Sequence, residues 1–405
     1  MRPIVRSPAH KTDNVAELVC SNSLRSAMID HAAGLLKEEL RLLGSLIMEA
    51  ADATAIPAGK ALAVDRILFS RWIEKRLSAF SNLEIIREEV FKLPPDDVTI
   101  CASGPLTSDT LAESIAEMTG EQHLSFYDAI SPIIDADSID FEKVFQASRY
   151  ENGEGDYLNC PFTTAEQYFH FYREMLDGKE VPLRDYEDVR YFEGCLPVEV
   201  MAKRGPQTLL FGPMKPVGLK DPKTGKTPYA VVQLRRENRE ATAYNLVGFQ
   251  TKLTWKEQSR IFRMIPGLEH AEFLRYGSIH RNTFINAPVL LNQTLQLRSH
   301  ENIFFSGQIT GVEGYIESAA MGLLAGIFAK RMLNGQTIIP APEVTAMGAL
   351  LRHVAHSDAV NFQPMNINFG IFPPLEKRVP RKERGRLYAQ RALTALHIWK
   401  DELNN

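Results

Sequence analysis

The stretch that most constrains the fold is FFSGQITGVEGYIESAAMGLLAGI, residues 304–327, where an apolar run meets a helix. Gly307, Gly311 and Gly314 mark the crossing. Glycine permits a close approach to the backbone, and the N-terminus of the following helix offers free N–H groups and a partial positive charge. The crossing therefore suits a phosphate-bearing cofactor. A tight turn followed by a small-residue helix packed on a sheet accounts for the glycines equally well.

The bulk properties of the chain exclude several classes of protein. Its 405 residues suffice for two to three domains, and its 44% hydrophobic and 24% charged residues are ordinary for a globular protein. The net charge of −4 means that any nucleic-acid contact must come from local basic patches. The N-terminus is polar, and no apolar stretch reaches the length of about 20 residues that spans a membrane. These features predict a cytoplasmic protein that does not cross a membrane.

Cysteine and histidine spacing argues against a metal centre. The four cysteines are scattered and form no CxxC pair, which favours free thiols over a disulfide framework or a zinc site. His353 and His356 have the spacing of a helix pair, but no third ligand is evident in the sequence. No metal is predicted.

The order of predicted elements indicates an α/β protein with an insertion. Helices are predicted over 30–50 and 65–80, the second capped by Asp65, and short strands over 83–90 and 98–103. An exposed loop is predicted over 150–157, an antiparallel sheet from the runs TLLFG, YAVVQL and YNLVGFQ, a helix over 256–265, and a final helix after the basic stretch 373–386. The pattern predicts a discontinuous domain, 1–108 and 290–405, interrupted by an inserted α+β domain, 109–289.

Nine segments, in this order, carry a resemblance to a known family. They are ELVCSNSLRS (17–26), PAGKALAVDR (57–66), ASGPLTS (102–108), FEGCLPVEVMAKRG (192–205), LFGPMKPVGL (210–219), YAVVQLR (229–235), HRNTFINAP (280–288), SGQITGVEGYIESAA (306–320) and NFQPMNINFG (361–370). Together they resemble the bacterial folate- and FAD-dependent tRNA (uracil-5-)-methyltransferases over nearly the whole chain.

The resemblance implies both the fold and the reaction. It implies a glutathione-reductase-like FAD domain formed by the discontinuous segments, with the insertion as the folate and tRNA domain. A one-carbon unit from 5,10-methylenetetrahydrofolate would pass through the flavin to C5 of the T-loop uridine of tRNA, with NAD(P)H as reductant. The implied cofactor-binding residues are Ser103, Gly104, Gly307, Gln308, Thr310, Gly311, Val312, Glu313, Gly314 and Asn368.

The start of the chain departs from the family pattern. The family opens with a strand, a GxGxxG turn, a helix and a second strand ending in an acidic residue, about thirty residues in all. The match begins only after that unit, at Met1-Arg2-Pro3. The first βαβ unit of the FAD domain is therefore expected to be incomplete. The 405-residue chain is expected to carry little FAD, and a chain extended upstream to carry more.

Two cysteines are the candidate catalytic residues. Uracil C5 becomes nucleophilic when a thiolate adds at C6, and a base must later remove the C5 proton. Cys20 lies in LVCSNS, ahead of a predicted helix, where local dipoles and Arg25 are expected to lower its pKa. Cys195 lies in a turn before Pro197. The resemblance assigns catalytic roles to both but leaves open which adds to C6, and Cys101 and Cys160 are expected to be buried and inert.

Further residues are candidates for substrate contacts. His280, in YGSIHRNTF, is expected to stack on a pterin or flavin ring, and Arg281 to meet folate carboxylates or phosphate; a surface histidine in a loop is the alternative. Basic residues are candidates for tRNA phosphates, although a solvated charged face is equally ordinary. These are Lys203 and Arg204, and in the tail Lys377, Arg378, Arg381, Lys382, Arg384 and Arg386, interrupted by Glu376 and Glu383.

Two other functions stay open at this point. One is a related flavoprotein that modifies the wobble uridine of tRNA, although no long C-terminal helical domain is evident. The other is a degenerate flavoprotein that binds RNA or folate without catalysis, which the missing N-terminal motif favours. The oligomeric state and the choice between NADH and NADPH are not predictable from the sequence.

Overall fold

The computed structural model describes residues 9–121, 124–150, 155–182, 191–377 and 379–404. The helices are α1 Ala32–Leu42, α2 Leu46–Ala53, α3 Arg66–Leu77, α4 Asp109–Thr119, α5 Ala165–Asp177, α6 Val198–Lys203, α7 Pro206–Phe211, α8 Trp255–Phe262, α9 Ala287–Leu290, α10 Tyr315–Leu333, α11 Ala346–His356 and α12 Arg381–Asn404. Short 3₁₀ turns lie at Ala136–Ser138, Glu193–Cys195, Gly307–Thr310 and Phe369–Ile371. Within these described ranges, no helix has the length and apolar character needed to cross a membrane.

The strands form four sheets. They are β1 Ser23–Ser26, β2 Ala55–Ile56, β3 Ala61–Val64, β4 Thr99–Cys101, β5 Leu124–Ile130, β6 Ile133–Asp135, β7 Phe145–Gln146, β8 Tyr157–Phe162, β9 Ala230–Arg236, β10 Ala243–Leu246, β11 Phe273–Arg275, β12 Ser278–Phe284, β13 Gln296–Leu297 and β14 His300–Phe305. Their orders are β1-β3-β2, β11-β6-β10-β9-β8-β7, β12-β5 and β13-β14-β4. Of the pairings between these strands, β14–β4 is parallel and the others are antiparallel.

Two large groups of buried apolar side chains lie on different parts of the chain. One joins residues before 130 to residues after 283, around α1, α10 and α11. The other lies between residues 134 and 273, where α5, α6 and α8 cover the six-stranded sheet. The strand pairings β8–β9–β10 confirm the antiparallel sheet expected from YAVVQL and YNLVGFQ. The domain boundaries at 108/109 and 289/290 stay a prediction.

Local signals in the sequence identify helix ends well. The Asp65 carboxylate accepts hydrogen bonds from the Ile67 and Leu68 N–H groups at 3.0 and 2.9 Å, so the predicted cap of α3 is confirmed. The single helix predicted over 30–50 is instead α1 followed by α2. Gly44 has a φ of +71° between them, a conformation that ends the first helix.

Two predicted strands are wrong. TLLFG forms α7, because Pro206 stands in the first turn, where its missing N–H is not needed. Residues 83–90 form no strand, and Leu83, Ile85 and Ile86 are exposed. Their apolar side chains have no facing layer to bury them, so the residue composition alone does not make a strand. Of the predicted loop 150–157, residues 151–154 lie outside the described residues, and Tyr157 already begins β8.

The glycine crossing connects β14 to α10 as predicted. Gly307, Gly311 and Gly314 have φ values of +76°, +87° and +111°, which favour glycine. Main-chain bonds at 3.0 and 3.1 Å pair the crossing with Met365. A Cβ atom at Gly311 would lie 2.4 Å from the Phe362 ring. The chain itself therefore makes the close approach at Gly311, whereas a Cβ at Gly307 would meet nothing nearer than Ser318 at 3.7 Å.

Candidate active site

A cavity of about 470 Å³ brings together segments that are far apart in the sequence. Its walls come from the loop before β1, from β5 and β12, from the 3₁₀ turn Glu193–Cys195 and from the glycine crossing. Its size is that of a typical cofactor or small-molecule site. The functional side chains and glycine that line it are Cys20, Arg25, Asp128, Cys195, Arg235, His280, Asn282, Gln308, Glu313, Gly314, Tyr315 and Glu317.

The Tyr315 hydroxyl contacts both the main chain and the side chain of Cys20. Its N–H donates to Tyr315 Oη at 2.9 Å, and its Sγ lies 3.1 Å from the same oxygen. Because that oxygen already accepts the N–H, the phenol hydrogen is available to the sulfur. Arg66 donates to the carbonyl oxygens of Leu18 and Cys20 and pairs with Glu237, which holds the loop in place.

The electrostatic environment of Cys20 differs from the sequence expectation. Burial raises the pKa of Cys20 to about 11, and the Asp128 charge adds to the effect, while Tyr315 and Arg66 oppose it. The expected lowering by Arg25 is wrong, because the Arg25 guanidinium pairs with Glu317 at 2.7 Å. Cys20 also precedes a strand, β1, rather than a helix N-terminus.

Cys195 ends a 3₁₀ turn just before Pro197, as the turn prediction requires. Its N–H donates to the Phe192 carbonyl at 3.0 Å. Its thiol lines the same cavity as the Asp128 carboxyl, and the two groups interact electrostatically. Burial raises the pKa of Cys195 well above its ordinary value, and the Asp128 and Cys20 charges add to this. Both candidate cysteines therefore lie in one cavity, and burial favours the thiol form of each over the thiolate.

Asp128 is an acidic residue in the middle of a buried strand. It lies on β5 directly opposite His280 of β12, and the residue is 9% exposed. Cys195 and Asn282 are its side-chain neighbours, and the buried Oδ1 atom has no hydrogen-bond partner among the described residues. Burial raises the pKa of Asp128 to about 6. The carboxyl can therefore change protonation state near neutral pH.

His280 lines the cavity from a strand, so it is not a surface histidine in a loop. Its Nε2 lies 2.9 Å from Ser278 Oγ. Burial lowers the pKa of His280 to about 4, helped by the Arg275 charge, so the imidazole is neutral at pH 7. Arg281 follows it on β12, and strand alternation places that side chain on the opposite face of the sheet.

The predicted cofactor residues divide into three groups. Gln308, Glu313 and Gly314 line the cavity, and Gln308 donates from its amide to Glu313. A second group of residues forms the backbone around the cavity. Thr310 Oγ1 donates to the Gly307 carbonyl at 2.8 Å, Val312 pairs with Met365, and Gly311 packs on Phe362.

The remaining predicted cofactor residues lie beside the cavity. Ser103 and Gly104 follow β4, directly before Pro105 and Leu106, which line it. The Ser103 hydroxyl lies 2.7 Å from Thr107 Oγ1. Asn368 accepts from the Gly370 N–H at 2.9 Å and borders a smaller depression of about 310 Å³ together with Arg25 and His31.

The basic candidates lie outside this lining. Lys203 pairs with Glu180 at 2.6 Å, and Arg204 pairs with Glu193 at 2.6 Å. In the tail, Arg378 lies outside the described residues. The other basic residues of the tail are all exposed. Lys377 precedes α12, whose first turns contain Arg381, Lys382, Arg384 and Arg386. Cys101 and Cys160 are buried, as expected.

Sequence reasoning missed several residues of the cavity. Asp128, Arg235, Tyr315 and Glu317 all line it. One signal was available for Asp128, because FYDAI places a single charge inside an otherwise apolar strand. The contact between Tyr315 and Cys20 carries no local signal, because the two residues are 295 positions apart.

Comparisons with known proteins place the chain in a family. A family model described as GIDA, glucose inhibited division protein A, matches residues 4–337. Two relatives are named methylenetetrahydrofolate--tRNA-(uracil-5-)-methyltransferase TrmFO. The protein of that name from Syntrophus aciditrophicus is 62% identical, covering 99% of this chain and 91% of the relative. The one from Geobacter sulfurreducens is 59% identical, covering 98% and 92%.

Solved structures show the same fold. Two crystal forms of Aquifex aeolicus GidA match with TM-scores of 0.67 and 0.68 at 15% and 16% sequence identity. They cover 96% of this chain and 68% and 70% of the GidA chains. The predicted α/β fold class is confirmed by these neighbours. At this identity and coverage, the chain belongs to the GidA family and, within it, to the group of TrmFO methyltransferases.

Proposed function

We propose that the chain transfers a one-carbon unit from 5,10-methylenetetrahydrofolate to C5 of the T-loop uridine of tRNA, with FAD as cofactor and NAD(P)H as reductant. One observation carries the proposal: Cys20 and Cys195, from distant segments, line one cavity together with the glycine crossing. Methylation of uracil C5 needs a nucleophile for C6 and a base for the C5 proton. Two thiols in one cavity provide both. The proposed location of the reaction is the cytoplasm, where tRNA is modified.

The crossing fits the flavin end of FAD. Gly314 is the N-cap of α10 and has no side-chain cap, so the helix N-terminus faces the cavity with N–H groups suited to flavin carbonyl oxygens. The open backbone at Gly307 permits a planar ring to approach. We assign Gln308, Glu313 and Gly314 to the ring end, and Ser103 and Gly104 to the extended part of the cofactor. When bound, FAD carries the one-carbon unit and accepts electrons from NAD(P)H.

The protein side of the reaction then falls to the two thiols and their neighbours. One cysteine, as thiolate, adds to C6 of the uracil, and the other cysteine removes the C5 proton. His280, neutral and partly buried, offers a flat face to a pterin or flavin ring. The long helix α10 and the buried contacts of Arg66 keep the cavity walls fixed while the substrate enters.

The tRNA would be held by basic side chains outside the cavity. Lys382, Arg384 and Arg386 are exposed at the start of α12 and suit phosphate contacts. Lys203 and Arg204 are weaker candidates, because each already has a carboxylate partner. A metal plays no part in this proposal.

The two alternative functions have less support. Identities of 57–62% to proteins named as the folate-dependent methyltransferase stand against 15–16% to the GidA structures. The cavity also keeps both cysteines, which a non-catalytic binding protein would not need.

The direct test supplies the purified chain with FAD, methylenetetrahydrofolate, NAD(P)H and an unmodified tRNA transcript. We expect 5-methyluridine in the T-loop, detected by mass spectrometry of the digested tRNA. A transcript with cytidine in place of the target uridine is the matched control and should stay unmodified. Absence of 5-methyluridine with saturating FAD would contradict the proposed function.

A further inference from the structure

Asp128 is a buried carboxyl whose neighbours are not cations. Burying a charged group is costly unless it is paired. Here the buried Oδ1 atom has no hydrogen-bond partner among the described residues, and the side chains beside it in the cavity are the Cys195 thiol and the Asn282 amide rather than a lysine or arginine. The Cys195 turn lies against β5, because the Phe192 N–H donates to the Tyr127 carbonyl and the Cys195 N–H donates to the Phe192 carbonyl. A carboxyl without a cation partner is costly to bury at this place in β5, so its position points to a chemical role.

The groups that face Asp128 come from every wall of the cavity. Cys195 comes from the 3₁₀ turn, and Cys20 comes from the loop before β1. Glu313 comes from the glycine crossing, and His280 stands opposite on β12 as a neutral imidazole. Of the cations that line the cavity, Arg25 pairs with Glu317 and Arg235 donates to Asn22, whereas the neighbours of Asp128 named above are neutral or acidic. The carboxylate therefore binds a proton readily, and the Cys195 thiol in the same cavity can donate one.

We propose that Asp128 is the proton acceptor for Cys195. Its carboxylate takes the proton from Sγ, so an S–H bond breaks, an O–H bond forms on Asp128, and the electron pair stays on the sulfur. Nothing is oxidised or reduced, and the negative charge passes from Asp128 to the sulfur. If Cys195 adds to C6, Asp128 returns the proton to the sulfur when the bond from sulfur to the substrate breaks. If Cys195 instead takes the C5 proton, it becomes a thiol again and Asp128 releases its proton to water. Both roles open to Cys195, addition to C6 or removal of the C5 proton, require this thiolate.

This inference rests on the proposed function, but one of its tests does not. Iodoacetamide alkylation of Cys195, followed by mass spectrometry of its peptide over a pH series, needs no tRNA. In Asp128→Asn the negative charge is gone, so the pKa of Cys195 falls. We expect alkylation at pH 8 to become about tenfold faster, the change that corresponds to a pKa lower by about one.

Methylation should respond in the opposite direction. Loss of a proton-transfer partner typically costs about 10²–10⁴-fold, so single-turnover methylation by Asp128→Asn is expected to fall by at least about 10²-fold. A thiol that is more reactive toward iodoacetamide in a protein that methylates more slowly is not explained by a merely structural carboxyl. Slower or unchanged alkylation, or methylation near the parental rate, would overturn the proposal.

The pH profile gives a second readout. The acceptor must be ionised, so parental single-turnover methylation should decline as the pH drops through about 6, and Asp128→Asn should lack that decline. Asp128→Glu keeps a carboxyl and should keep the decline, with a rate between those of the parent and Asp128→Asn. If Asp128→Asn does not fold, the parental profile decides, because a flat rate down to pH 5 excludes Asp128 as acceptor.

Glu199→Gln is the matched control. Glu199 is also a buried carboxyl with a raised pKa, but it bonds with Thr251 and Lys252 in the other core. This variant should leave both Cys195 alkylation and the pH profile unchanged. If the parent itself fails to methylate tRNA while Asp128→Asn still speeds alkylation, the pairing stands and the proposed function fails.

Discussion

The cavity has two walls, and each places a cysteine beside a different kind of neighbour. On the crossing wall, formed by Cys20, Tyr315 and the glycine crossing, a phenol hydroxyl lies 3.1 Å from the sulfur and has a proton to donate. On the strand wall, formed by Asp128, Cys195 and His280, a carboxyl faces the sulfur and can take a proton. Burial raises the pKa of both thiols, so the partner, rather than the depth, decides which way a proton moves.

The largest expected effect comes from removing either sulfur. Cys20→Ala and Cys195→Ala should each lower methylation by at least about 10³-fold, because uracil C5 chemistry needs both a C6 nucleophile and a C5 base. The midpoint temperature of thermal unfolding should stay close to that of the parent. The measurement is single-turnover methylation, with Cys160→Ala as the control for loss of a buried thiol outside the cavity. Turnover near the parental rate in either variant would remove that cysteine from the reaction.

The sequence predicts the crossing wall better than the strand wall. Glycine spacing is a local signal, and the crossing appears in the structure, as does the Asp65 cap of α3, which lies outside this wall. The turn at Cys195 before Pro197 is a local signal, but its position beside Asp128 depends on long-range packing of that turn against β5, which no local pattern encodes. The apolar residues of 83–90 mislead for the same reason, because strand formation there requires a partner that the segment lacks.

A second prediction tests whether the crossing wall is rigid. Gly311→Ala should destabilise the fold by about 2–4 kcal/mol, because alanine resists a φ of +87° and its methyl group would lie 2.4 Å from the buried Phe362 ring. Gly326→Ala is the matched control. It lies inside α10 with no atom within 4 Å of an added Cβ, so it should stabilise by about 0.5–1 kcal/mol. Urea unfolding measures both, and a neutral Gly311→Ala would show that the crossing tolerates rearrangement.

A third prediction sharpens the contrast between the two thiols. Tyr315→Phe removes the hydrogen bond that lowers the pKa of Cys20, so that pKa should rise. A hydrogen bond to a charged group contributes about 1.5–3 kcal/mol, so alkylation of Cys20 at pH 8.5 should slow about tenfold or more. This is the opposite sign to the effect of Asp128→Asn on Cys195. The control is Tyr168→Phe, whose hydroxyl bonds with the Pro206 carbonyl instead.

If alkylation of Cys20 is unchanged or faster in Tyr315→Phe, the phenol does not donate to the sulfur. The two walls would then not differ in which group donates the proton, and Cys20 would depend on Arg66 alone among the neighbours that favour its thiolate.

The smallest expected effect concerns His280 on the strand wall. His280→Ala should slow folate-dependent reduction of the flavin about 3–10-fold and change tRNA affinity less, because loss of a ring contact costs about 0.5–1.5 kcal/mol. The lowered pKa of about 4 means that the imidazole gains a proton only in acid. The deficit should therefore be the same at pH 6 and pH 8. Stopped-flow absorbance at the flavin band measures reduction, and filter binding measures tRNA affinity, with the exposed His356→Ala as control. Unchanged reduction, or a larger loss of tRNA affinity than of reduction rate, would move His280 from the cofactor side of the cavity to the RNA side.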